Sequence, residues 1–234
     1  MITIRIADLN IRLKNRYRYV EMLCRDYITD AEQIDFEVEA TDAEISEEIK
    51  NAESEANAAY AEAVCLHRRI AEQLWRHNCF LLHAALIECD GEGYAFAARS
   101  GVGKSTHIGL WKKIFGERVC IVNGDKPIVR VTEKGIVAYG TPWNGKEGFG
   151  ENRSCSVRGL CFLERGAENE IHSISVEDAT LRLFPQIYLP AEARAVDKTL
   201  ALIDEFVTRV SFWNLHCNME DGAALLSHEK MTQE

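Results

Sequence analysis

The chain lacks several features that would place it in a membrane or outside the cell. None of its apolar runs reaches the roughly 18 residues that a membrane-spanning helix needs. Its first residues, MITIRIADLN, lack the basic-then-apolar layout of a secretory leader. The eight cysteines are scattered without a Cys-x-x-Cys pair, and several lie in apolar runs typical of buried thiols. These absences predict a cytoplasmic protein with free thiols and no membrane association.

Basic residues are also in short supply. The chain has 27 lysines and arginines against 37 acidic residues, a net charge of −10. Eleven of the acidic residues, and only one lysine, lie between positions 29 and 56. No basic stripe with interleaved aromatic residues is present, so we expect no nucleic-acid partner. The acidic segment indicates a solvated surface, with the docking of a basic peptide substrate as the alternative.

Internal repeats and low-complexity linkers are absent as well, and 234 residues suit one large domain or a core with an appendage. The first part of the chain has strand-like or helix-like patterns at 2–6 (strand), 16–28 (helix), 35–41 (strand), a short acidic helix, and about 54–77 (helix). Asp42 or Ser46 is predicted to cap the acidic helix. The longest helix is predicted to carry one apolar face made of Tyr60, Val64, His67, Ile70 and Leu74. These patterns predict an α+β appendage over residues 1–78.

The character of the sequence changes after residue 78. Residues 80–89 are apolar on both faces, which predicts a strand buried inside a sheet. Asp90-Gly91 is a hairpin signal, and residues 94–98 form the next strand. Further strands are predicted at 118–123, 127–132, 135–140, 157–165 and 210–217, and helices at 175–184, 190–210 and 219–230. We therefore expect an α/β core with a mixed sheet over residues 79–234.

The stretch FAARSGVGKSTHIGLW, residues 96–111, has the composition of a phosphate-binding loop between a strand and a helix. Such a loop needs glycines so that backbone N–H groups converge on phosphate oxygens, a lysine for the β- and γ-phosphates, and a hydroxyl for magnesium. The first glycine of the usual pattern is Ala98 here. The phosphate-binding residues are predicted to be Ser100, Gly101, Val102, Gly103, Lys104, Ser105 and Thr106. The predicted ligands are a nucleotide, ATP, and Mg²⁺, with Ser105 as a metal ligand.

Two further residues are candidates for the chemistry. Asp125, at the end of the apolar strand in CIVNGDKP, is placed to hold magnesium or to take a proton from an acceptor hydroxyl. The same Asn-Gly-Asp before Pro127 is also typical of a turn. His83 lies one hairpin before the loop, where an imidazole beside the phosphates would serve proton transfer. A histidine in an apolar strand is also often a core residue with a satisfied hydrogen bond.

Taken together, His83, SGVGKST at 100–106 and NGD at 123–125 resemble the catalytic domain of HPr kinase/phosphorylase, which has the phosphoenolpyruvate carboxykinase-type P-loop fold. The resemblance covers residues 80–166 and is closer to the small stand-alone kinase-like proteins of that superfamily, some of them linked to peptide modification. It implies that Lys104 and Ser105 bind phosphate and magnesium, that His83 faces the loop, and that Asp125 belongs to an acidic pair. Because HPr kinases are hexameric as a family, it also implies a homo-oligomer.

The chain departs from that family at Gly124, where the family has the first of two adjacent aspartates. The sequence therefore leaves two functions open. The first is an ATP- and Mg-dependent kinase that transfers a phosphoryl group to a hydroxyl of a protein, peptide or small molecule. The alternative is a nucleotide-binding regulatory module with little or no catalysis. A gain of activity in Gly124→Asp would then indicate a decayed kinase.

The polar loop at 140–154 follows these motifs. Lys146 and Arg153 are candidates to bind substrate or phosphate and to neutralise charge during transfer. They fit equally well as solvated cations on a surface loop. Arg99 and Lys126, which border the motifs, are predicted to be solvated.

Overall fold

The computed structural model describes residues 1–52, 56–99 and 101–233. The start of the helix predicted at 54–77 and the loop residue Ser100 lie outside these ranges. The mixed α/β class predicted from the sequence is confirmed. Within the described residues, no helix combines the length and the apolar character that a membrane crossing requires.

The strands run in chain order as β1 (Ile2–Ile6), β2 (Leu9–Leu13), β3 (Phe36–Val38), β4 (Cys79–Leu81), β5 (Ala85–Cys89), β6 (Glu92–Ala97), β7 (Val119–Asn123), β8 (Ile128–Thr132), β9 (Gly135–Tyr139), β10 (Ser154–Arg165), β11 (Glu170–Ser173) and β12 (Ser211–Cys217). The α-helices are α1 (Arg18–Leu23), α2 (Asp42–Asn51), α3 (Ala58–Ala71), α4 (Lys104–Phe115), α5 (Val176–Leu183), α6 (Ala193–Arg209) and α7 (Asp221–Gln233). The short strands β2 and β11 have no counterpart in the sequence prediction.

The large sheet has the strand order β4-β8-β9-β10-β6-β5-β7. The long strand β10 pairs in parallel with β6 on one side, while its other side pairs with β9 at its start and with β12 at its end. Strands β5 and β6 form the predicted antiparallel hairpin. Its turn has φ of +52° at Asp90 and +88° at Gly91, as a type I′ turn requires.

Helices cover both faces of this sheet because its strands are apolar on both sides. In β6, Tyr94 and Phe96 pack in one core cluster with Trp111 of α4 and with residues of α7. Ala95, between them in the strand, belongs to the cluster on the opposite face with Phe206 of α6. Alternate residues of a strand point to opposite faces, so the run of apolar residues in β6 is what places α4 and its preceding loop against the sheet.

The first part of the chain folds as the small sheet β1-β2-β3 with α1, α2 and α3 packed around it. This core also includes Leu81 of β4 and Ile128 of β8, so it packs against one edge of the large sheet. The division into residues 1–78 and 79–234 stays a prediction.

Three predictions for this region are wrong in detail. The helix predicted at 16–28 is the shorter α1 followed by a 3₁₀ turn at Arg25–Tyr27. Helix α2 is capped by Thr41 rather than by Asp42 or Ser46. Thr41 Oγ1 accepts a hydrogen bond from Glu44 N at 3.3 Å, and Glu44 Oε2 accepts one from Thr41 N at 2.8 Å. These two bonds form a capping box, which explains why the T-D-A-E sequence starts the helix at that point.

The long predicted helix is also shorter than predicted, and a different face of it is buried. Its described part is α3, capped by Asn57, followed by a 3₁₀ turn at Leu74–His77. Tyr60, predicted on the apolar face, is 51% exposed. Leu66 and Ile70 are buried. Small side chains such as Ala61 fill the rest of the buried face. The prediction was wrong because it located this face from the larger side chains alone.

The predicted single strand at 80–89 is two strands, β4 and β5, interrupted at residues 82–84. The backbone N–H groups of this interruption donate to Pro127 O, Gln186 O and Asp125 O at 3.1, 2.7 and 3.1 Å. Strand β5 pairs with β7, and β4 pairs with β8. The segment between β7 and β8 therefore interrupts the sheet directly beside residues 82–84. The two interruptions therefore lie side by side, with His83 in one and Asp125 in the other.

Candidate active site

The glycine-rich loop connects β6 to α4, as the sequence predicts. Gly101 and Gly103 have φ of +77° and +124°, which residues with side chains rarely adopt. Gly101 O accepts a hydrogen bond from the Arg165 guanidinium at 2.6 Å, so the end of β10 supports the loop. A Cβ on residue 103 would lie 3.0 Å from the methyl group of the exposed Met219 side chain, which can shift, so the positive φ is what favours glycine there.

The start of α4 faces this loop. Among the described residues, no side chain caps this end of the helix. His107 N donates to Gly103 O at 2.9 Å, which closes the first helical turn. The N–H groups that precede this bond in the helix have no intrahelical partner, and they carry the positive end of the helix dipole. Ser105 is half-buried and Thr106 is exposed in this first turn. Such an end binds anions such as phosphate.

The structure brings three predicted site residues into contact. His83 Nε2 lies 3.0 Å from Lys104 Nζ and 3.1 Å from Asp125 Oδ1. Lys104 Nζ is 4.0 Å from Asp125 Oδ1 and 3.4 Å from Ala98 O. A single ring nitrogen thus faces both an ammonium and a carboxylate. It can donate to the carboxylate when protonated or accept from the ammonium when unprotonated, but not both.

The electrostatics of this cluster follow from its burial and from its charges. Burial alone raises the pKa of the Asp125 carboxyl. The hydrogen bond from His83 and the nearby charge of Lys126 outweigh burial and hold that pKa below its ordinary value, so Asp125 is ionised at neutral pH. The pKa of Lys104 is lowered, chiefly by burial, while the charge of Asp125 acts in the opposite direction. The lysine is thus a cation held in an unfavourable environment.

Asn123 holds the turn that carries Asp125. Its Oδ1 accepts hydrogen bonds from Asp125 N at 2.9 Å and from Lys126 N at 2.7 Å. Its Nδ2 donates to Thr141 O and Oγ1, both at 3.1 Å, and the Asn123 side chain is fully buried. The turn predicted from Asn-Gly-Asp is therefore present. Since that turn presents Asp125 to His83, it is compatible with a chemical role for Asp125.

The loop that follows β9 closes over this turn. Gly124 N donates to Phe149 O at 2.8 Å, and a Cβ on residue 124 would lie 2.6 Å from Asn144 O. Trp143 fixes the loop to α3, because its Nε1 donates to Ala63 O at 3.0 Å and its ring stacks on His67 at 4.6 Å between centroids. The pKa of His67 is lowered to about 3 by burial, with the Lys126 charge adding to the effect.

The cations predicted near the site are placed differently from one another. Arg153 pairs with Glu88 of β5 at 2.9 Å and with Glu151 at 3.7 Å, and Lys146 is exposed on the loop that covers Asp125. A phosphate-binding role for Arg153 would require these ion pairs to break. Lys126 was predicted to be solvated, which is wrong. Its Nζ contacts Asp125 Oδ2 at 2.5 Å.

Sequence reasoning missed the residues that hold the site in shape. These contacts join segments that are far apart in the chain, so no local pattern predicts them. They are the Asn123–Thr141 bond, the Trp143–His67 stack and the Arg165 bond to the loop. Of the predicted residues, Lys104, His83 and Asp125 come together at the start of α4. Ser100 lies outside the described residues, and the roles of Gly101, Val102, Gly103, Ser105 and Thr106 in binding a ligand stay predictions.

No protein-family model matches the chain, and no curated protein matches it. Among solved structures, the HPr(Ser) kinase/phosphatase from Coxiella burnetii is similar to it at 8% sequence identity and a TM-score of 0.38. That similarity covers 66% of this chain and 99% of the other protein. A likeness this distant carries no conclusion about activity, which has to be argued from the residues of the chain itself.

Proposed function

We propose that the chain is an ATP- and Mg-dependent kinase of the HPr kinase-like type, which phosphorylates a hydroxyl of a protein, peptide or small molecule. The observation that carries this proposal is the contact of His83 Nε2 with both Lys104 Nζ and Asp125 Oδ1 at the start of α4. A cation, an ionised carboxylate and an imidazole at an anion-binding helix end are the groups that phosphoryl transfer uses.

The residues present fit both ligands. Lys104 and the amides at the start of α4 would hold the phosphates. The Ser105 hydroxyl and the ionised Asp125 carboxylate are oxygen donors of the kind that Mg²⁺ prefers. Bound Mg²⁺ supplies positive charge that offsets the negative charge of the β- and γ-phosphate oxygens. As phosphate draws Lys104 Nζ towards itself, His83 Nε2 is left to Asp125 alone.

In the transfer step, the acceptor oxygen forms a bond to the γ-phosphorus while the bond from that phosphorus to ADP breaks. The hydroxyl proton passes to the Asp125–His83 pair and from there to water. Asp125 would orient the hydroxyl as a hydrogen-bond acceptor, because its lowered pKa makes it a poor place to keep the proton. His83, in contact with that carboxylate, is the neighbouring group that can carry the proton onward.

The proposal is tested by incubating the protein with γ-labelled ATP, Mg²⁺ and a native lysate. We expect an acceptor that the natural sequence labels and that Lys104→Ala and Asp125→Asn leave unlabelled. The matched control is Lys134→Ala, a change of an exposed lysine in the β8–β9 turn that should leave labelling intact. Equal labelling by the Lys104→Ala form would contradict the proposal.

The regulatory module with little catalysis remains the second candidate. It is supported by Gly124, which leaves position 124 without a carboxylate, and by Ala98, which is buried and replaces the first glycine of the usual loop. It predicts that calorimetry detects ATP binding that depends on Lys104 while no acceptor is phosphorylated. The labelling experiment and calorimetry together separate the two candidates.

A further inference from the structure

Position 124 cannot carry a second carboxylate with the loop in its present place. A Cβ there would lie 2.6 Å from Asn144 O and 3.2 Å from Phe149 O, and both contacts are to backbone atoms. Distances below 3.0 Å between a Cβ and a backbone atom require the backbone to move. The absence of an acidic side chain at residue 124 is therefore a consequence of how the loop packs. It need not mean that the site lacks a second acid.

The same loop brings an acid of its own to the site. Gly145, at φ of +90°, lies against Asp125, because a Cβ on Gly145 would be 3.2 Å from Asp125 Cβ and 3.9 Å from Asp125 Cγ. Glu147 Oε2 lies 3.7 Å from the position that this Gly145 Cβ would occupy. The Glu147 carboxylate and the Asp125 side chain thus border the same point beside Gly145.

The position of Glu147 is set by contacts on both sides of it. Gly148 N donates to Gly145 O at 3.2 Å, which closes the turn around Glu147. Before the turn, Trp143 is fixed to α3, and after it Phe149 O accepts from Gly124 N. A loop held at both ends and across its turn keeps the backbone of residue 147 next to the turn that carries Asp125.

The Asp125 and Glu147 carboxylates differ in the groups that already contact them. Asp125 Oδ1 contacts His83 Nε2 and its Oδ2 contacts Lys126 Nζ. Within the described part of the chain, the exposed Glu147 carboxylate makes no hydrogen bond or ion pair. A hard divalent cation prefers oxygen ligands, and it binds most readily where no protein cation has to be displaced.

We propose that Glu147 is a ligand of the divalent cation that accompanies the nucleotide, and that it completes a set of oxygen ligands with Ser105 and Asp125. This assignment rests on the proposed nucleotide site. Glu147 fills the role that residue 124 cannot take, since the loop that excludes a side chain from 124 is the one that carries Glu147. The departure at Gly124 then fits an active enzyme.

The test uses Mn²⁺ and ATP as probes on the full chain, with binding measured by calorimetry and by the electron paramagnetic resonance of bound Mn²⁺. Glu147→Gln is expected to weaken the binding of Mn²⁺–ATP by about tenfold or more, because the charge of the ligand set controls the affinity of such sites. Binding of ATP in the presence of EDTA should stay as tight or become tighter. Glu147→Asp should keep part of the Mn²⁺ effect.

The matched control is Glu133→Gln, a change of an exposed acid in the β8–β9 turn, which should bind Mn²⁺–ATP as the natural sequence does. The assignment is overturned if Glu147→Gln leaves Mn²⁺–ATP binding unchanged, or if it weakens binding with and without the metal equally. If Mn²⁺–ATP binding depends on Glu147 but no acceptor is phosphorylated, the ligand assignment stands and the kinase proposal fails. If the natural sequence binds no nucleotide, both fail.

Discussion

His83 Nε2 and Asp125 Oδ1 are 3.1 Å apart because each residue occupies an interruption in one of two strands that run side by side. Backbone bonds tie the interruptions together, since Ala84 N donates to Asp125 O and Leu82 N donates to Pro127 O, both at 3.1 Å. The contact between the two side chains is therefore built into the sheet. Lys104, the first residue of α4, is the member of the cluster that lies outside these strands, and its long side chain is the one expected to move if phosphate binds.

Lys104 is expected to cost the protein stability. Its pKa is lowered mainly by burial, which means that the folded state disfavours the charged form. Lys104→Met should raise the melting temperature by about 2–4 °C, or about 1 kcal/mol for a chain of this size. The same change should abolish ATP binding. Differential scanning calorimetry measures the first effect and titration calorimetry the second.

The stability difference between Lys104→Met and the natural sequence should depend on pH, and the sign of that dependence can be worked out. A lysine whose pKa is lowered from 10.5 loses its proton in the folded state before it does in the unfolded chain. As the pH rises towards 10.5, the unfolded chain therefore binds more protons than the folded state does, and the natural sequence gains stability over that range. The advantage of Lys104→Met should shrink over that range. Lys134→Met, at an exposed position, should change stability by less than about 0.5 kcal/mol at any pH. A lower melting temperature for Lys104→Met would show that the ammonium is net stabilising.

Asn123 is expected to be a main support of the site. Asn123→Ala removes two accepted and two donated hydrogen bonds. It leaves the buried Thr141 carbonyl without this donor, while Thr141 Oγ1 keeps its bond to Lys126 O. We expect a loss of about 2–4 kcal/mol, since unpaired buried polar groups are costly. Urea denaturation measures this loss. The control is Asn152→Ala, which removes one bond from an exposed side chain to Asp26 O and should cost less than about 1 kcal/mol. Similar losses for both variants would refute the role of Asn123.

Gly124→Ala is expected to be destabilising even though alanine is small. Its methyl group would lie 2.6 Å from Asn144 O, so the loop has to shift. We expect a loss of about 1–3 kcal/mol by urea denaturation, as for other overpacked positions. Gly109→Ala in α4 is the matched control, because a Cβ there meets nothing within 4 Å, and it should stabilise by about 0.5–1 kcal/mol. Full stability of Gly124→Ala would mean that the loop yields easily. Because aspartate is larger than alanine, Gly124→Asp is expected to damage the site. A gain of activity in that variant would instead indicate a kinase that has lost its second acid.

Local patterns in the sequence were enough to predict the parts of the site that depend on neighbouring residues. The Asp90-Gly91 hairpin, the loop before α4 and the turn at Asn123 are each encoded within a few residues, and each is present. The mixed α/β class follows from strands that are apolar on both faces, alternating with amphipathic helices.

The misses have a common physical cause, which is contact between distant segments. The interruption at 82–84 depends on carbonyl groups of Asp125, Pro127 and Gln186, none of which is close in sequence. The cap of α2 is an exception, since the Thr41–Glu44 pattern was readable and was missed. The nearness of Glu147 to Asp125 depends on how one loop packs on a turn about twenty residues earlier, which no periodicity reveals.

The bond from Trp143 Nε1 to Ala63 O joins residues 80 positions apart and spans the boundary predicted between residues 78 and 79. Any shortened protein that begins at residue 79 would retain Lys104, His83 and Asp125 but would have no α3 for Trp143 to rest on. The loop over the His83–Asp125–Lys104 cluster would then keep its bond from Gly124 N to Phe149 O but lose its attachment to α3. The first third of the chain thus supports the candidate site, although Lys104, His83 and Asp125 all lie in the other two thirds.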